Sequence, residues 1–262
     1  MARYPVWAML AALCLLSVSA SAAAQEPVRR PVVAVLDFTN SSLQDHEVYD
    51  PFSIGIAGML LSELRLNPHI ELVERERLRQ VLEEIEFNAT DRVDAATAAR
   101  AGRILGAHHM LFGVFVIDRR GNLRLDARAV SVETSRVEHV ETVEDDADNL
   151  LRAVRQLGTQ LTQSLRLPAP ARDGPEDVES ARRGQMLANL KYARAMLEED
   201  RNNVRRAVEL YCEFLSDSPQ GYARALRSEA EQRISALTGA CATSPNTRAS
   251  PLGLESVLKP RR

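Results

Sequence analysis

The sequence predicts an α/β fold, a mixed β-sheet packed by α-helices, followed by a small all-helical region. Three patterns carry that reading. Val32 to Leu36 and Met110 to Ile117 are short, continuously apolar runs, as strands covered on both faces must be. The segments between them place apolar residues at helical spacing instead. After them, Leu123, Leu125, Ala127 and Ala129 alternate with Arg124, Asp126 and Arg128, the period of a strand with one wet face.

In chain order, the first strand is followed by a helix over Phe52 to Leu66. Ala57, Leu60, Leu61 and Leu64 share one of its faces, and Asn67-Pro68 stops it. Ile70 to Val73 reads as a short strand, and Leu78, Val81, Leu82 and Ile85 form the next apolar stripe. Asp94 to Leu105 is an Ala-rich helix ending at Gly106, which suits the left-handed conformation of a helix C-terminus. Arg119-Arg120-Gly121-Asn122 reads as a hairpin connection after the strand over Met110 to Ile117. Arg136 to Val143 is the expected partner of the alternating strand, and Asp148 to Leu165 is a helix with Leu150, Val154, Leu157, Leu161 and Leu165 on one stripe.

Residues 1–24 read as a signal peptide. Arg3 gives the positive start, Val6 to Val18 the apolar run, and Ala22-Ala23-Ala24 the small-residue site, with cleavage after Ala24. The run is shorter than the ~20 residues of a spanning helix. Leu13 is too large to precede a lipidated Cys14, so no lipobox is expected and the periplasm is the expected location. The formal charge of −3 becomes one unit more negative when Arg3 leaves, which gives no reason to expect nucleic acid or anionic lipid as partner.

The expected organisation is an α/β domain over residues 25–166, a Pro/Gly linker over 167–177, a helical region over 178–240 and a disordered tail over 241–262. Two cysteines outlast the leader, Cys212 and Cys241. An even count in an oxidising compartment allows one disulfide; a buried helical thiol and an exposed tail thiol is the alternative. Ala195, Ala207, Tyr211 and Pro219 fall at the small, small, aromatic and proline positions of a tetratricopeptide unit, which the region resembles, while Glu198 and Phe214 depart from it. One such unit cannot bury its own face. It must pack against the α/β domain, the following helix (Ala223 to Leu237) or a partner.

Val35-Leu36-Asp37-Phe38, then Val73-Glu74-Arg75 with Leu78 and Val81-Leu82-Glu83, then Gly106-Ala107 and the strand through Gly113 occur in that order. The set, spanning Val32 to about Leu165, resembles the periplasmic domain of the curli-secretion channel (CsgG/HfaB-like) family. Channel members insert membrane-spanning hairpins at two points of this sheet. Here those points shrink to Asp118 through Asn122 and Thr142 through Asp148, and a membrane-crossing strand needs ~9–11 residues. The resemblance therefore implies assembly work in a bacterial envelope without the pore.

No motif carries catalysis. His108 and His109 are adjacent, so on a strand they point to opposite faces; His46, His69 and His139 are isolated. Asp37, at the carboxyl end of a buried strand, is expected to bond loop amides. Gly55 and Gly58 lack a following Gly-Lys-Ser/Thr and suggest close helix–sheet packing. Glu144-Asp145-Asp146 with Asp148 suits a helix N-terminus better than a calcium loop. No Gly-x-Ser-x-Gly elbow occurs, and no catalytic, cofactor or metal residue is assigned.

The resulting expectation is a non-enzymatic accessory or adaptor in assembly or export of a cell-surface structure. Its partners would be envelope proteins, with outer-membrane association only through them, and ring-forming relatives make a homo-oligomer worth testing. Binding would use the exposed sheet edge, the wet face with Arg124, Asp126 and Arg128, and a groove around Tyr192 and Tyr211. The first alternative is an activator of peptidoglycan synthases on the same fold; a hydrolase or nucleotide-binding protein is the lesser one.

Overall fold

The computed structural model describes residues 30–85, 94–168, 185–218 and 223–237. The expected leader and its cleavage site, nearly all of the linker, Pro219, Cys241 and the tail lie outside them. β1 (Val32–Asn40), β2 (Glu71–Leu72), β3 (His109–Ile117), β4 (Asn122–Ser131) and β5 (Arg136–Asp146) form one sheet in the order β2-β1-β3-β4-β5. Helices α1 (His46–Tyr49) and α2 (Phe52–Arg65) precede β2, and α3 (Arg75–Glu84) and α4 (Ala95–Leu105) precede β3. These crossovers make β1 parallel to β2 and β3. Tight turns make β3, β4 and β5 antiparallel. Helix α5 (Leu150–Ser164) follows, then α6 (Gln185–Asp200), α7 (Val204–Asp217) and α8 (Arg224–Leu237). The mixed α/β sheet and the helical region are those the periodicity predicts.

Local chemistry sets the joints. Gly106 ends α4 at φ 71° and Gly121 turns at φ 86°, both in the left-handed region where a Cβ is penalised. Asp118 shapes the β3–β4 turn by accepting from the backbone N–H of Arg120 (2.7 Å) and Asn122 (2.9 Å). One boundary differs from expectation. β5 runs on to Asp146, with Glu144 opposite Arg124 and Asp145 opposite Leu123. Arg124 Nη1 donates to Glu144 at 3.0 Å, so the acidic run has a cationic neighbour and stays in the sheet. Of that run, Asp146 starts the following turn by accepting from Asp148 N at 2.8 Å. The second expected insertion point is therefore mostly paired strand.

Each face of the sheet carries a packed core. Val33, Val35, Leu111, Phe115, Leu125 and Ala127 form one core with α2 and α5, while Ala34, Leu36, Met110, Phe112 and Val130 form the other with α3 and α4. Helix α2 decides how the rest is arranged. Eleven of its 14 residues are buried, more than a one-sided helix can hide, so it must be covered twice. The sheet covers one side and α6 the other, and a continuous core runs from β4 through α2 to α8. The helical region packs on both the α/β part and its own following helix. No side-chain cap holds the start of α2. A cap is worth about 1 kcal/mol, whereas each fully buried residue such as Phe52, Ile56 or Leu60 contributes about 1.5–3 kcal/mol.

Gly55 and Gly58 mark the α2–α6 contact, not the helix–sheet contact expected for them. A Cβ on Gly55 would lie 2.4 Å from that of Ala193, and one on Gly58 would lie 2.6 Å from the Met196 sulfur. On α5, a Cβ on Gly158 would meet nothing nearer than Leu60 at 3.4 Å. Gly55→Ala is therefore expected to lower stability by about 1–3 kcal/mol through overpacking. Gly158→Ala is expected to be neutral or stabilising by up to about 1 kcal/mol through helix propensity. Urea unfolding followed by far-UV circular dichroism compares the two.

Candidate functional site

Strand pairing places the wet residues of β4 in three rows. Arg124 lies between Val116 and Glu144, Asp126 between Val114 and Thr142, and Arg128 between Phe112 and Val140. Directly opposed residues share a sheet face. The α3–α4 layer buries this face up to Phe112; beyond it Val114 and Val116 are half-buried and Val140 is 58% exposed. The open half of the sheet is thus a mixed apolar and charged surface beside the β5 edge, where Val137 is also exposed.

The charges on this surface are prearranged. Arg124 grips Asp126 with two bonds of 2.9 and 3.0 Å and reaches Glu144, while Thr142 donates its hydroxyl to Asp126 at 2.6 Å. Hydrogen bonding from Arg124, opposed by partial desolvation, leaves the Asp126 carboxyl below its usual range. Among the described residues Arg128 has no hydrogen bond or ion pair, and it stands exposed beside Val140. The sequence points to the three charged residues through their alternation. Val114, Val116 and Val140 were missed, because a continuous apolar run does not show where its covering layer stops.

Tyr192 and Tyr211 do not belong to a binding groove. They are 1% and 0% exposed, with ring centroids 5.8 Å apart, and Tyr192 also packs on Phe214 at 5.3 Å. The face that a lone repeat would present is filled by α2, where the Tyr192 ring sits against Gly58. Burial pushes both phenols well above their usual range. Tyr211 donates to Glu199 at 2.9 Å, Glu199 accepts from Arg233 at 2.7 Å, and Glu229, close to Arg233, accepts from the Ser62 hydroxyl. This chain links α2, α6, α7 and α8. Cys212 is disulfide-bonded.

Asp37 does not bond loop amides. Arg75 holds it at 2.8 Å and reaches Asp200 at the end of α6 at 2.7 Å, tying the sheet to the helical region. The acidic run is likewise internally paired: Arg152 donates to both Asp145 oxygens, at 2.6 and 2.8 Å. His108 Nδ1 accepts from Val32 N at 2.9 Å, whereas His109 lies 3.7 Å from Glu138. Among the described residues no group of three or more His, Cys, Asp or Glu side chains is placed to hold a metal, and no helix is long and apolar enough to cross a membrane.

Residues 15–118 match the family described as curli production assembly/transport component CsgG. That stretch is similar to the CsgG family. It reaches from before β1 to the end of β3, leaving β4, β5 and the later helices beyond the match. The family supports an accessory role at the cell envelope. Among solved structures, the chain is similar to the LpoB C-terminal domain from Escherichia coli, at 16% identity over 48% of this chain and 89% of that one (TM-score 0.36). It is also similar to lipoprotein GNA1162 from Neisseria meningitidis, at 12% identity over 51% of this chain and 99% of that one (TM-score 0.35). The PelC dodecamer from Paraburkholderia phytofirmans shows 11% identity over 53% of this chain and 89% of that one (TM-score 0.33). No curated protein matches the sequence.

His109 gives this region a pH dependence. Burial lowers its pKa below 6.5, with Glu138 opposing the shift. The unfolded chain therefore takes up the proton more readily, and stability present above the unfolded pKa is lost as pH falls. The urea midpoint is expected to drop more in the unsubstituted chain than in His109→Gln between about pH 7.5 and about pH 5.5. Equal drops would remove His109 as the cause.

Proposed function

We propose that the chain is a non-enzymatic periplasmic protein that acts as an adaptor in assembly or export of a cell-surface structure, through protein–protein binding. The observation that carries this reading is the open half of the sheet next to the segment similar to the CsgG family. Val140 and the half-buried Val114 and Val116 supply apolar contact there, and Arg128 supplies an exposed cation without a hydrogen bond or ion pair among the described residues. Surfaces of this kind, apolar at the centre with charges at the rim, are what partner proteins cover. The β5 edge adds unpaired backbone groups beside it.

The turn over residues 118–121 leaves no room at that point for a pair of membrane-crossing strands, which supports an accessory part instead of a pore. The disulfide at Cys212 suits an oxidising compartment, and we propose Cys241 as its partner.

The test is in-vivo cross-linking with the tagged chain, followed by affinity capture and mass spectrometry. Export or appendage components are expected with the unsubstituted chain. Recovery should be several-fold lower for Arg128→Glu/Val140→Glu, whose changes lie on the exposed surface and should leave the unfolding midpoint nearly unchanged. Equal recovery with the variant would remove this surface from the account. Recovery of peptidoglycan synthases instead would move the same fold to an activator of cell-wall synthesis.

A further inference from the structure

Away from the sheet, a cleft of about 320 Å³ opens between α1, α6 and α7. Three arginines line it: Arg194 on α6, Arg201 just after that helix, and Arg206 on α7. Arg201 is paired with Glu198 at 3.0 Å, and Arg206 with Glu209 at 3.0 Å. Among the described residues Arg194 has neither a hydrogen bond nor an ion pair. It is half-buried, and desolvation together with the charge of Arg206 disfavours its cationic form. Other partly buried arginines here are neutralised, Arg75 by Asp37 and Asp200, Arg155 by Glu63, and Arg233 by Glu199. Arg194 stands apart from them in lacking an anion.

The cleft has room for more than one side chain and holds a planar, two-pronged donor, the geometry that receives a carboxylate bidentately. Glu47 and Asp50, both exposed, line it as well. With Glu198, which also lines the cleft and is paired with Arg201, the carboxylates equal the arginines in number, so a dianion is discouraged and a monoanion must be held by Arg194 itself. We propose that this cleft is a carboxylate-binding site in which the Arg194 guanidinium receives the ligand. The carboxylate belongs either to a small free acid or to the end of a polypeptide. The site is independent of the sheet surface discussed above, and its probes report on Arg194 alone.

The experiment titrates the exported chain, labelled with ¹⁵N-arginine, while following the guanidinium Nε–H signals. The probes are N-acetyl-leucine, its amide, N-acetyl-alanyl-alanyl-leucine with a free carboxylate, and inorganic phosphate. A saturable shift of the Arg194 signal is expected with both free acids. It should be absent with the amide, about tenfold weaker or more with phosphate, and lost in Arg194→Gln. Tighter binding of the tripeptide would support the site and name a polypeptide end as its ligand; equal binding would support it and name a small acid. No saturable shift with either acid, a response to the amide, or tighter binding of phosphate would overturn the proposal. The amide arm uses the unsubstituted chain, so the test stands even if Arg194→Gln fails to fold.

Discussion

The structure depends on the double burial of α2. Its sequence is apolar nearly all round, so the sheet alone leaves half of it facing water. α6 closes that side, and it lies close because Gly55 and Gly58 offer no side chain at the contact. The helical region is therefore part of the same core as the sheet, not an appendage on a tether. Such a core resists piecemeal change, since eleven of the 14 residues of α2 are buried between its two covers.

A second layer of specificity comes from charge. Ser62, Glu229, Arg233, Glu199 and Tyr211 join α2, α6, α7 and α8 through polar contacts that are buried or part-buried. Arg75 ties the end of α6 to β1 through Asp200 and Asp37. Leaving the most buried of these charges, Glu229 and Arg75, unpaired costs more than the pairing contributes, so the contacts select one docking of the helices over others of similar apolar area. That docking also decides where function can reside. With one sheet face covered largely by α2 and α5, the features left accessible among the described residues include the open half of the other face, the β5 edge and the cleft around Arg194.

Much of the fold is legible in the sequence because each element carries one dominant period. The alternation from Leu123 to Ala129 fixes the wet face of β4, and Gly106 and Gly121 mark a helix end and a turn through the φ values they adopt. The sequence is silent where two covers compete for one helix. Nothing in the pattern of α2 says that its glycines meet α6 and not the sheet. For the same reason Tyr192 and Tyr211 look like the lining of a groove until α2 is seen to fill it. The fates of Asp37 and Glu144 depended on arginines distant in sequence, Arg75 and Arg124, which no local window contains. The candidate surface is legible in its charges and hidden in its apolar half.

The claim that sheet and helical region form one body is tested most directly by hydrogen exchange with mass spectrometry across a urea series. Peptides from α2, β4 and α6 are predicted to lose protection together, in a single cooperative opening with one urea dependence. Loss of protection over α6, α7 and α8 at clearly lower urea, with α2 and the sheet still protected, would show that the helical region is separable and would contradict the account.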